Sequence, residues 1–390
     1  VVKESSSKFT EVKKPLFAFF LHVSVVKPRR AKSLGAPYFL SVLVVKARAT
    51  LLFCKLAGAN TQPMKPVLLF LLCLSLSCLS AQTPTYAERL GFPAGARVLI
   101  LHVDDAGMSW DSNEGALKAL TEGVATSVSV MMPCAWTPGF VHSLRQHPDI
   151  DAGLHLTLTS EWVDYRWGPL MGKPAVPGLV DAEGALWPSV EAVVSHATPD
   201  EVDAEIRAQL ARAREMGFEP THFDSHMGTL FATPEFLERY LRLGIETGIP
   251  VMFPGGHNTL IARTNPLDGE MIRQLGAQLW AAGLPVLDDL HNLSYGWEIP
   301  PAVAAKPKKL QRFMADQYIA TLQETRPGLT MVIMHCTDPS EVFPHISGSG
   351  PTRQGDLLAM LDPKLRAFLK AEGFVLTTWR EVMERRKAGE

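Results

Sequence analysis

Cysteine is scarce. The 390 residues hold 5, at Cys54, Cys73, Cys78, Cys134 and Cys336. No two have the spacing of a zinc-binding pair and three lie before residue 80, which argues against a cysteine metal site and a disulfide framework. An excess of charge of either sign is also missing. The formal net charge is −2, from 38 basic and 40 acidic side chains, which argues against nucleic acid or an anionic membrane as the main partner. No apolar run reaches the length of a membrane-spanning helix, and there is neither an internal repeat nor a low-complexity tract. Apolar side chains are plentiful: 46% of residues are hydrophobic against 20% charged, which suits a sizeable core in one large domain or two ordinary ones.

The chain opens on Val1, and residues 1–63 carry basic and apolar clusters, such as Lys27-Pro28-Arg29-Arg30, without a steady period. Met64-Lys65 then leads an apolar run ending in Ser80-Ala81, the layout of a secretory signal peptide. Residues 64–81 are therefore expected to be a signal peptide cleaved near Ser80 or Ala81. Residues 1–63 are expected to be a disordered, non-native upstream extension, and the mature protein to be periplasmic or secreted with no stable membrane insertion. A genuine extension with a membrane anchor is the alternative, and Cys78, after Ser-Leu-Ser, leaves room for a lipid anchor.

From about residue 95 the pattern alternates. Strands are predicted at Val98–Asp104, Ser127–Met132, Gly153–Thr159, Thr221–His226, Pro250–Phe253, Pro285–Leu290, Leu329–His335 and Phe374–Trp379. Helices fall between them at 112–120, from the capping box Thr198-Pro-Asp-Glu201 to Gly217, from Thr233 to Gly248, and over 267–283, 308–325 and 363–373. Such alternation predicts an α/β fold: one catalytic domain over 95–385 built as an irregular (β/α) barrel of seven or eight mostly parallel strands, with an open doubly wound sheet as the alternative. Residues 160–197, rich in Gly, Pro and Trp, break the pattern and read as a lid loop.

Polar residues gather at strand ends. Asp104 and Asp105 close the first strand, where α/β folds bind ligands; Gly107 turns the chain away. Side chains alternate along a strand, so His155, Thr157 and Thr159 share one side of theirs, and His222, Asp224 and His226 one side of another. A late apolar run ends in His335. Imidazole with carboxylate is the usual donor set for zinc and similar divalent metals. No pair is close enough in sequence to chelate alone, so the fold would have to assemble a site. His102, His142, His147, His196 and His291 read as core or surface histidines with local hydrogen bonds, Met131 and Met132 as core, and Arg353 as a solvated arginine on a late loop. Trp162, Tyr165, Trp167 and Trp187 in the lid, and Trp110 and Trp136 near other strand ends, could pack locally or stack on sugar rings.

Val103-Asp-Asp-Ala-Gly107 with Ser109 and Asn113, then Ala152-Gly-Leu-His-Leu-Thr157, then Pro220-Thr-His-Phe-Asp-Ser-His226 resemble, in order and spacing, the YdjC-like carbohydrate deacetylases. The resemblance runs from roughly residue 97 to 380. It implies the irregular barrel and an Asp-His-His metal site in which Asp105, His155 and His226 hold one divalent ion; zinc or magnesium is the expected ion. It also implies Asp104 as general base and His335 as general acid in hydrolysis of an N-acetyl group on an amino sugar or oligosaccharide. Asp224, His222, Trp162 and Trp167 are candidate substrate contacts, with Asp224 able to orient an imidazole instead. Two departures stand out: Met227-Gly-Thr-Leu230 replaces a histidine-rich run, and Cys336-Thr-Asp-Pro339 replaces Pro-Gly after the late histidine. Two other functions use the same residues: a metal-dependent hydrolase of a phosphoester or non-sugar amide, and a non-catalytic carbohydrate-binding protein. Few cations accompany the motifs, which disfavours phosphate.

Overall fold

The computed structural model describes residues 83–263 and 269–389. The segments read as an upstream extension and a signal peptide lie outside these residues. Seven strands are present among them: β1 Arg97–Ala106, β2 Ser127–Val130, β3 Ala152–Leu156, β4 Phe223–Ser225, β5 Asp289–His291, β6 Gly328–Met334 and β7 Val375–Leu376. All pair in parallel in the order β4-β3-β2-β1-β6-β5, with β7 against the first half of β1. Backbone hydrogen bonds carry the ladder on from β4. Phe223 N–H donates to Pro250 and Met252 N–H to Phe223; Leu287 N–H donates to Phe253 and Asp288 N–H to Leu329. The segment predicted as a strand at Pro250–Phe253 is thus present as single bridges that close the ring into an irregular barrel. All residues of β2 to β6 are buried, as expected of strands covered on both faces.

Twelve helices lie among the described residues: α1 Tyr86–Arg89, α2 Trp110–Thr121, α3 Thr137–Gln146, α4 Val190–His196, α5 Pro199–Glu215, α6 Pro234–Thr247, α7 Gly269–Ala281, α8 Pro301–Ala304, α9 Pro307–Leu322, α10 Gly350–Met360, α11 Pro363–Ala371 and α12 Trp379–Ala388. The capping box predicted for α5 forms, with Thr198 accepting from Glu201 N–H and Glu201 from Thr198 N–H. The region predicted as a late loop is α10. Its Gly355 is a packing residue, because a Cβ there would come within 2.6 Å of Met314 on α9.

The predicted lid is a pinned cover. Ser160 N–H donates to Trp187 and Leu186 N–H to Trp167. Arg166 bonds Asp181 at 2.6 Å and the Leu186 carbonyl at 2.7 Å, and Glu205 of α5 accepts from Leu170 and Met171 N–H. Its own Val176, Leu179 and Leu186 are fully buried. No described helix is long and apolar enough to cross a membrane.

Candidate active site

The end of β1 is bent by its own register. His102 and Val103 pair with Ser127 and Val128, but Ala106 pairs with Val130, so Asp104 and Asp105 face a single residue of β2. This bulge lets two consecutive carboxylates point into one space, which a regular strand forbids. Asp105 takes φ +67°, a left-handed conformation rare outside glycine. Gly107, at φ +86°, completes the turn; a Cβ there would lie 2.7 Å from Thr137 Oγ1.

Three strand ends converge on this point. Asp105 Oδ1 lies 3.2 Å from His155 Nε2 and 3.4 Å from His226 Nδ1, and the two nitrogens are 3.2 Å apart. The far nitrogen of each ring faces a carboxylate: His155 Nδ1 lies 2.6 Å from Asp224 Oδ1, and His226 Nε2 3.1 Å from Glu161 Oε2. A neutral imidazole that donates to those carboxylates turns its lone pair toward Asp105. Three electron-pair donors then face one another with no proton between them, an arrangement that asks for a cation. Bonds of about 2.05 Å to a tetrahedral metal span edges of about 3.3 Å, which is the size of this triangle. All three residues are buried and their donor atoms can close on one ion.

The surroundings carry Asp104, Asp105, Asp224 and Glu161 against one permanent cation, Arg353. Burial alone would raise the Asp105 carboxyl; Arg353, His155 and His226 hold it well below the usual carboxylate range. Burial would lower His155, but Asp104 and Asp224 lift it well above the usual imidazole value. His226 is lifted against its burial by Glu161 and Asp105, to about 9. A metal ion bound here would supply the positive charge that a proton otherwise supplies.

Asp104 is the more exposed of the pair, at 8% against 1%. Its Oδ1 lies 3.1 Å from His102 Nε2, which also lies 2.9 Å from Asp224 Oδ2, so one ring bridges the two carboxylates. The other His102 nitrogen meets Ser127 Oγ at 3.0 Å. His335 Nε2 is 3.9 Å from Asp104 Oδ2, its ring packs edge-on to Tyr295, and its backbone N–H donates to Asp356.

Several sequence readings change. Arg353 is not solvated: it is 3% exposed on α10, with Nη2 2.7 Å from Asp105 Oδ2. His222, read as a candidate substrate contact, is fully buried, stacked on Trp379 and seated over Gly153, where a Cβ would collide with its ring. Asp224 is likewise buried, between His102 and His155, where it can orient both imidazoles. Trp167 is buried, its Nε1 donating to Thr159, whereas Trp162 is half-buried beside Arg353. His291 lacks the local hydrogen bond expected of it, since neither ring nitrogen has a partner. Glu161 was not singled out from the sequence; its place, six residues after His155 where the lid begins, is the only signal that could have found it.

Fold and site together define a (β/α) barrel with a metal-capable Asp-His-His group at the carboxyl ends of its strands. The chain belongs to the YdjC-like family: that family's model, described as YdjC-like protein, matches residues 98–371. A carbohydrate deacetylase of Thermus thermophilus is 34% identical over 297 residues, 76% of this chain and 97% of that one. A chitooligosaccharide deacetylase of Yersinia enterocolitica is 32% identical over 135 residues, 33% of this chain and 49% of that one. A solved Enterococcus faecalis V583 structure named for cellobiose-phosphate cleavage superposes with a TM-score of 0.58 at 18% identity, over 74% of this chain and 99% of that one, a likeness of fold.

Proposed function

We propose that the protein is a metal-dependent carbohydrate deacetylase that hydrolyses the N-acetyl amide of an amino sugar or a short oligosaccharide. Support comes from family membership, from the names its relatives carry, and above all from the 3.2–3.4 Å triangle of Asp105, His155 and His226 donors, with the far ring nitrogens facing other carboxylates. These three residues would hold the ion, and two imidazoles with one carboxylate suit zinc better than magnesium, which prefers oxygen donors. Such an ion, when bound, lowers the pKa of water and polarises the acetyl carbonyl.

The chain's own residues do the rest. Asp104, held by His102 and the more exposed of the two carboxylates, takes the proton of the attacking water. Arg353 keeps Asp105 ionised. His335 delivers a proton to the departing amine. Burial pushes His335 down to about 4, so it rests neutral and receives its proton during turnover, with Asp104 Oδ2 the carboxylate 3.9 Å away. Asp224 and Glu161 fix the two ligand rings.

Acetate release from N-acetylated chito-oligosaccharides, with and without a chelator, tests this. Release that stops with chelator and returns with zinc is expected. Cleavage of phosphoesters without acetate, or sugar binding without turnover, would overturn the reading.

A further inference from the structure

Among the described tryptophans only Trp110 and Trp136 are exposed, at 51% and 43%. They stand together, with ring centroids 5.4 Å apart and planes inclined at 60°. Two large aromatics left half in water side by side form an apolar patch, the mark of a binding surface. Their place in the fold is specific. Trp110 opens α2 just after β1, and Trp136 caps α3 just after β2, so both stand on the barrel rim that carries Asp105, His155 and His226. Trp110 follows Asp105 by five residues, so their Cα atoms are at most about 18 Å apart. The pair is held rigidly to that rim. Buried Asn113 accepts from Gly107 N–H at 2.7 Å and donates from Nδ2 to the Trp136 carbonyl at 3.0 Å. Thr137 Oγ1 donates to the Met131 carbonyl at 2.6 Å.

We propose that Trp110 and Trp136 form a second sugar subsite, a platform for a residue of the chain distant from the N-acetyl group under attack. A pyranose ring offers an apolar C–H face and a rim of hydroxyls, which fits an aromatic surface bordered by solvent. The substrate is then an oligosaccharide long enough to span from the metal-capable triad to the rim. This inference rests on the deacetylase reading and goes beyond it in assigning chain length.

Acetate release is measured on N,N′-diacetylchitobiose and on the N-acetylglucosamine pentamer, for the wild type and for Trp110→Ala, Trp136→Ala and the double variant. KM for the pentamer should rise roughly tenfold in the double variant, with a rise several times smaller for the dimer. In the Asp104→Asn background, which keeps the pentamer intact, tryptophan fluorescence should respond to the pentamer, and removal of both rings should weaken pentamer binding measured by calorimetry by a similar factor. Thermal unfolding midpoints confirm that the surface changes leave the fold whole. Equal KM changes on both lengths, or pentamer binding that survives loss of both rings, would overturn the platform. If the wild type releases acetate from neither sugar, the deacetylase reading fails instead, and calorimetry still judges the platform.

Discussion

Asp104 and Asp105 are neighbours in the chain and have different surroundings. Asp105 sits in a left-handed backbone, paired with Arg353 and facing two imidazoles; Asp104 is the more exposed and leans on His102. The proposed roles, Asp105 as ligand and Asp104 as base, rest on that difference. Asp104→Asn should retain the bound ion and lose turnover by roughly three orders of magnitude. Steady-state acetate release and metal content of the same sample check it, and loss of the ion in this variant would show that the two roles are exchanged. Asp104, Asp105, His155 and His226 were visible in the sequence because strand alternation and strand ends mark them. Arg353 was not, because Gly350-Pro351 and Gly355 disguise a helix whose glycine serves close packing on α9. His102 was read as a core or surface histidine; it is buried, and its bridge between two carboxylates depends on a bulge that no periodicity reveals.

At the scale of elements, the long apolar strands were legible, and so were the helices that begin with capping residues. Short β4 falls inside the predicted Thr221–His226, whereas the strand predicted at Pro250–Phe253 is present only as single bridges, whose pairing the pattern could not resolve. The lid read as a loop because its order comes from Arg166, Glu205 and buried valine and leucine side chains rather than from a period. β5 carries a feature with a pH consequence. His291 packs outward on Tyr318 of α9 and edge-on to Trp297. Burial, with the Arg263 charge, pushes it down to about 4. The unfolded chain takes up this proton below about pH 6.5, the folded one only near the lower value. Its contribution to stability is therefore full above the unfolded pKa and shrinks as pH falls toward the folded one, by about 2–3 kcal/mol at pH 4.5. His291→Phe should lose correspondingly less stability between pH 7 and pH 4.5 in urea melts; an unchanged acid loss would refute the assignment.

For the molecule as a whole, the barrel's opposite end is tied shut by a carboxylate. Asp288 accepts from Tyr86 N–H at 2.9 Å and Ala87 N–H at 3.0 Å in α1, and from Leu329 N–H at 2.8 Å in β6. Gly328, at φ +137°, lies so close that a Cβ would meet Asp288 at 2.6 Å. Asp288→Ala leaves three donors without their acceptor and should lower unfolding free energy by about 3 kcal/mol. A loss below about 1 kcal/mol by urea denaturation would mean that water replaces the carboxylate. The cleavage proposed near Ser80 or Ala81 would leave this closure whole, because α1 is capped by Thr85. The sequence could not show the closure, which joins residues about two hundred positions apart.

The central claim is that Asp105, His155 and His226 hold one divalent cation on which hydrolysis depends. Elemental analysis of purified wild type, Asp105→Asn, His226→Ala and Asp104→Asn, each assayed for acetate release, addresses it directly. One ion per chain is predicted in the wild type and in Asp104→Asn, with little in the other two and acetate release only from the wild type. A wild-type protein stripped of metal that still releases acetate at its full rate would contradict the account.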